Sequence, residues 1–196
     1  MPKKTFVDEV YGKVTYDEEQ FQYKLKEDII FTINEKEQAV KGYVNVPYII
    51  FENIELGLED PEMVEFYKDH PNLVEPDEAR ALKKAQKEMF QNYIVEGKEQ
   101  TIRNIEEAAL KKLAEILADE TEKDITRAVG KEKAQRLFAA KTREEKLASL
   151  QLKKLKVLND TIEITCTCDW YKPSGGFIVF IEDGSVEMVF VDCMSI

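Results

Sequence analysis

The thiols come first among the residues that could do chemistry. Cys166 and Cys168 are two apart, and Cys193 lies near the C-terminus. Three thiolates could hold zinc. Structural zinc sites, however, place their cysteines in turns, at C-x(2–4)-C spacing, where the backbone wraps the metal. A C-x-C pair within an alternating strand points both side chains the same way and wraps nothing. Free cysteine is also among the most buried residue types. Core packing is therefore the expected role, with metal or redox chemistry as the alternative. The one histidine, His70, sits in Lys68-Asp69-His70-Pro71, a turn-like stretch with no nucleophile placed beside it. It reads as a surface loop residue rather than an acid–base group.

Carboxylates are abundant. Asp8-Glu9, Glu18-Glu19, Glu59-Asp60 and Glu144-Glu145 are all adjacent pairs. A catalytic pair needs one carboxyl in an apolar setting that raises its pKa. These pairs lie in polar stretches and read as solvated. Trp170-Tyr171-Lys172-Pro173-Ser174-Gly175-Gly176 is a turn with aromatic residues. An exposed Trp there would be an interface anchor, but Trp170 falls on the apolar side of its strand and is expected to close the core. No phosphate-cradling glycine motif occurs. Lys131, Lys133, Arg136, Lys141, Arg143 and Lys146 form a basic stretch interleaved with Glu132, Glu144 and Glu145. It reads as the solvated side of helices.

The elements that must position these groups follow the charge. The chain has 196 residues, 28 Lys and Arg, 39 Asp and Glu, and a formal net charge of −11. Residues 1–75 carry 8 basic and 17 acidic side chains, residues 76–159 carry 19 and 15, and residues 160–196 carry 1 and 7. A strongly acidic chain argues against nucleic acid as a partner, because that binding displaces counterions from phosphates with basic groups. No apolar run is long enough for a membrane span, and none follows Lys3 and Lys4 as a secretory leader would. A cytoplasmic location is expected.

Residues 1–58 read as β-rich. Val10 to Tyr16, Phe21 to Leu25, Ile29 to Ile33 and Val40 to Val46 are the candidate strands, with turns at Asp17-Glu18-Glu19 and Asn34-Glu35-Lys36. Residues 59–150 read as helical. Asp60-Pro61 opens a short helix and Pro76-Asp77-Glu78 a second. The second helix carries Leu82, Ala85, Met89, Phe90 and Tyr93 on its apolar face and ends at Gly97. A third buries Ile102, Ile105, Ala109, Leu113 and Ile116, with Glu107 and Lys111 set for an i,i+4 pair. Ile125 to Val129, broken by Gly130, extends it or forms a short helix. In residues 131–141 Leu137 and Phe138 are expected to be buried. Thr142 to Glu145 is a capping box. Residues 151–196 are β-rich. Ile162, Ile164, Cys166, Cys168 and Trp170 alternate with polar residues, and Asp183-Gly184 joins two apolar runs as a type I′ hairpin turn. Leu152 to Leu158 fits either helix or strand.

Neither β-rich end has enough strands to be comfortable alone. The expected fold is α+β: one antiparallel sheet built from the N- and C-terminal strands, in a single domain, with a central block of helices packed on one face. The open face would inherit much of the negative charge of the two ends.

The order of elements also carries a resemblance. A strand near Tyr11 to Tyr16 precedes β meanders, a helix with Gln86 and Phe90, further helices, and Cys168-Asp169-Trp170 entering a glycine turn before a final hairpin. This order resembles an uncharacterised bacterial domain family whose C-terminal end has Cys-x-Trp, a turn with Gly and a closing hairpin. Such proteins are similar to the immunity proteins encoded beside polymorphic toxins. The family's turn carries acidic residues, His and Gly, whereas residues 171–176 here contain no His, so no functional residue carries over. The resemblance implies a toxin domain as partner.

The resulting expectation is a non-enzymatic, immunity-like protein without a cofactor, presenting an acidic sheet face to a basic protein partner. Its contact residues would be Glu163, Asp169, Glu182, Asp183, Glu187 and Asp192. The alternatives are a divalent-cation-dependent enzyme using carboxylates and a structural subunit of a homo-oligomer. The sequence leaves the oligomeric state open.

Overall fold

Alternation of apolar and polar side chains sets the strands, because successive side chains on a strand point to opposite faces. The structure is a computed structural model and describes residues 5–17, 22–45, 84–170 and 176–191. These residues form nine strands: β1 (Thr5–Asp8), β2 (Gly12–Asp17), β3 (Gln22–Leu25), β4 (Ile29–Ile33), β5 (Lys36–Asn45), β6 (Gln151–Val157), β7 (Ile162–Thr167), β8 (Gly176–Glu182) and β9 (Ser185–Val191). Among the described residues, five α-helices lie between β5 and β6: α1 (Lys84–Phe90), α2 (Lys98–Asp119), α3 (Glu122–Val129), α4 (Lys131–Ala139) and α5 (Arg143–Leu147). The fold is α+β, with strands from both ends in one sheet.

The sheet runs β1-β2-β3-β5-β6-β7-β8-β9, with β4 paired to the first half of β5. All neighbours are antiparallel except β5 and β6, which join the two ends of the chain in parallel. The sheet is mostly antiparallel, as the sequence leads one to expect, and the β5–β6 junction is its one parallel pairing among the described strands. A helical crossover between β5 and β6 permits parallel pairing. The first half of β5 lacks ladder bonds to β6, and Gln38 fills in. Its amide donates to the Leu150 carbonyl at 3.0 Å and accepts from the Leu152 amide at 2.7 Å.

The inner face carries Val14, Tyr23, Val44, Leu155, Ile164, Val179 and Met188, all buried. Ile105, Ala109 and Leu113 of α2, Ile125 of α3, Leu137 of α4 and Leu147 of α5 complete this core. The ambiguous stretch 152–158 resolves as strand β6 through Val157. Both short turns are of the positive-φ kind, at Asn34-Glu35 (51° and 62°) and Asp183-Gly184 (46° and 80°). The capping box at α5 is present in full.

Several local expectations give way. Six residues after α1, Gln91–Glu96, take π-helical geometry. Gln86, Phe90 and Ile94 are the buried positions, with Met89 and Tyr93 packed beside them, and Ala85 is exposed. Phe138 is 42% exposed because only the Ala134–Leu137 side of α4 meets the core. Glu107 pairs with Arg143 of α5 rather than with Lys111, drawn there by a guanidinium already held at 2.9 Å by Glu106. The stretches around Asp60-Pro61, His70, Pro76 to Leu82 and Cys193 lie outside the described residues.

Candidate functional site

The helices cover one face of the sheet, and the other is lined by the alternate residues of each strand. Lys13, Lys24, Lys41, Lys154 and Lys156 stand on it with Asp17, Glu37, Glu163, Glu182 and Glu187. The expected acidic face is therefore corrected to a charge-balanced one. The N-terminal negative charge is concentrated in residues 46–75, with eight acidic side chains and one lysine, and these lie outside the described residues.

The charges on this face are segregated. Strand register aligns one residue from each of six strands in a row: Lys24 opposite Tyr43, Tyr43 opposite Lys156, Lys156 opposite Glu163, Glu163 opposite Phe180, and Phe180 opposite Glu187. A second row holds Lys41, Lys154, Thr165, Ile178 and Val189. Strands β2, β3, β5 and β6 thus carry all five of these lysines around Tyr43, with Asp17 and Glu37 among them, and the Lys154 ammonium lies 4.4 Å from the ring centroid. Burial and the neighbouring Lys156 hold the Lys154 pKa below its ordinary value, against the pull of Asp17. Strands β7 to β9 form an acidic and apolar block of Glu163, Ile178, Phe180, Glu187 and Val189. Val189 is 37% exposed.

The six contact residues read from sequence separate in space. Glu163 and Glu187 share the outward row. Glu182 and Asp183 are exposed where β8 turns into β9. Asp169 follows β7 and is held at 2.6 Å by Lys133 of α4, on the helical side. Asp192 lies outside the described residues. Ile178, Phe180 and Val189 were missed as site residues. Their run of apolar side chains reads as core from sequence, and only the register shows which of them face outward.

The thiols are poorly suited to chemistry. Cys166 is fully buried, donates to the Ile164 carbonyl, and is pushed up by burial and by the nearby Cys168. Burial pushes Cys168 up to about 12, with Asp169 adding to the effect and a backbone contact at Trp170 opposing it. Both stay protonated at neutral pH, and the thiolate is the reactive form. Among the described residues no three His, Cys, Asp or Glu side chains gather as metal ligands. Trp170 is buried as expected, and its indole N–H donates to the Lys146 carbonyl at 3.1 Å. A cleft of about 380 Å³ beside it is lined by Lys133, Arg136, Lys146, Ser149 and Asp169. The Ser149 hydroxyl there accepts from the Asp169 amide at 3.1 Å.

One carboxylate read as solvated is buried. Asp8 accepts from the Val10 and Tyr11 amides at 2.9 and 3.2 Å, and Lys87 of α1 lies 2.7 Å away. Burial opposes its charge, but Lys87 and the two amides outweigh burial and hold the carboxyl below the usual range. This arrangement pins the β1–β2 turn to α1, where the Tyr11 and Phe90 rings meet at 4.9 Å, tilted 56° to each other.

Among the described residues no helix is long and apolar enough to cross a membrane. Compared with known proteins, the chain matches no family model, no curated protein and no solved structure.

Proposed function

We propose that this chain is a non-enzymatic protein-binding protein, in its most specific form an immunity-like inhibitor, which docks a basic protein surface on the outward face of β7 to β9. The observation that carries the reading is the placement of Phe180 between Glu163 and Glu187, with Ile178 and Val189 in the next row, on a sheet face that no described helix covers. An apolar centre with a charged rim is the usual anatomy of a protein contact. The carboxylates select a basic partner and speed its approach in a salt-sensitive way. A toxin domain with a nucleic-acid-binding surface has the required charge. The contact set narrows to Glu163, Glu182, Asp183 and Glu187 around the apolar centre.

The test compares immobilised wild-type chain with a Glu163→Lys/Glu187→Lys variant in native lysate at low and high salt. The expected result is a basic protein retained by the wild type at low salt, released at high salt and not retained by the variant. Retention that ignores salt, or that the variant shares, overturns the reading.

A further inference from the structure

The outward row contains more order than a rim of carboxylates requires. It reads Lys24, Tyr43, Lys156, then Glu163, Phe180, Glu187 across β3, β5, β6, β7, β8 and β9. One half is cation, aromatic, cation. The other is anion, aromatic, anion. Lys156 and Glu163 stand directly opposite each other, yet among the described residues none of Lys24, Lys156, Glu163 and Glu187 makes an ion pair. The charges are available to something outside the fold.

We infer that the outward face docks a second copy of this chain face to face, about a two-fold axis parallel to the strands and between β6 and β7. The inference rests on the reading that the β7–β9 half recognises a basic surface, and it names that surface as the lysine block of another copy. The axis fixes every contact. Lys156 of one copy meets Glu163 of the other, Tyr43 meets Phe180, and Lys24 meets Glu187, each twice, as an isologous interface demands. A Lys and a Glu side chain together span the ~10 Å between packed sheets. The second row is compatible, since the same axis lays the Lys41 stem along Ile178, and a lysine stem covers apolar surface while its ammonium reaches water. A two-fold axis running across the strands instead would set lysine on lysine and glutamate on glutamate, which is repulsive. Charge complementarity therefore selects both the partner and the orientation.

The test is sedimentation velocity on the full chain over a concentration series, at low and high salt. The expected wild type is a concentration-dependent dimer that weakens as salt screens the pairs. Lys156→Glu alone and Glu163→Lys alone each create like-charge contacts and are expected to weaken the dimer by about tenfold or more. Mixed in equal amounts, the two variants restore it, because both cross-copy pairs become attractive again. No contact elsewhere on the molecule predicts that rescue. Circular dichroism and melting temperature confirm that each variant is folded. The same mixing experiment with Lys24→Glu and Glu187→Lys, at the outer pair, stands in if a central variant is not folded. A wild type that stays monomeric at low salt, or two folded variants whose mixture does not associate, overturns the inference. A monomeric wild type that still retains a foreign basic protein through Glu163 and Glu187 overturns the dimer and leaves the binding reading standing. A dimer that passes the mixing test while no foreign basic protein is retained supports the dimer and limits the reading to self-association.

Discussion

The two faces of the same strands obey different physics. On β6, Leu155 is completely buried, while its neighbour Lys156 stands on the uncovered face. On β7, Ile164 and Cys166 are fully buried, whereas Glu163 keeps part of its surface in water. The inner residues are held by packing, which is short-ranged and acts on stability. The outward residues interact through charge, which is screened and acts on association. Substitutions one residue apart should therefore separate into two kinds of effect.

The largest separation is expected between Trp170 and the outward row. Trp170→Ala removes a buried ring packed 6.0 Å from Phe177 and strands the Lys146 carbonyl. A loss of about 4 kcal/mol is expected in chemical denaturation. Leu155→Ala should lose about 3 kcal/mol, while Lys156→Ala should stay within about 0.5 kcal/mol of wild type. Equal losses at 155 and 156 would mean that the outward face is covered.

Asp8 breaks the rule that carboxylates belong on the outer side, and it tests what an inward charge contributes. Asp8→Ala leaves Lys87 without its 2.7 Å partner and two turn amides without an acceptor. A loss of about 2–3 kcal/mol is expected. The pH dependence has a definite sign. Because the folded carboxyl is held low, its contribution is fully present above the unfolded value, near pH 4, and disappears as pH falls through the lower folded value. Urea midpoints measured from neutral pH downward should converge for wild type and Asp8→Asn. A constant gap down to the lowest pH would rule out the charge as its source.

The inner face was largely legible in the sequence, because period-two alternation names the buried residues without knowledge of their neighbours. Ile162, Ile164 and Cys166 are one such set, and Asp183-Gly184 fixes the hairpin that follows. Local signals served equally well where one turn decides the outcome, as at the Thr142 cap. The outward site was not legible in this way. The join between its two halves depends on a register between strands more than a hundred positions apart, and no local pattern encodes that Tyr43 lies next to Lys156. Net charge misled for the same reason, since it does not say which acidic residues enter strands. The burial of Asp8 and of Gln86 was not legible because burial of a polar group is decided by a distant partner. For Gln86 that partner is the Asn45 carbonyl, 2.7 Å away.

A smaller test lies at the end of the π-helical segment, where a backbone contact rather than a side chain decides the cost of a substitution. A Cβ at Gly97 would lie 2.3 Å from the Asn92 carbonyl oxygen, and backbone cannot swing aside as a side chain can. Gly97→Ala should cost about 1–2 kcal/mol. Gly42→Ala should cost less, although its Cβ would lie 2.8 Å from Leu25, because that contact is the Cδ2 end of a leucine able to change rotamer. Thermal melts of the two variants provide the comparison, and a larger loss at Gly42 would contradict it.

The smallest expected effect has the opposite sign. Lys41 stands directly opposite Lys154 across the parallel β5–β6 junction, and like charges in that position are destabilising. Lys41→Gln leaves the Lys154–Tyr43 contact in place and removes the repulsion. The melting temperature should rise by about 1 °C at low salt, and the gain should vanish at high salt, where the repulsion is already screened. A gain that survives high salt would have to come from packing or propensity, and the distinction between an inner face ruled by contact and an outer face ruled by charge would fail at this junction.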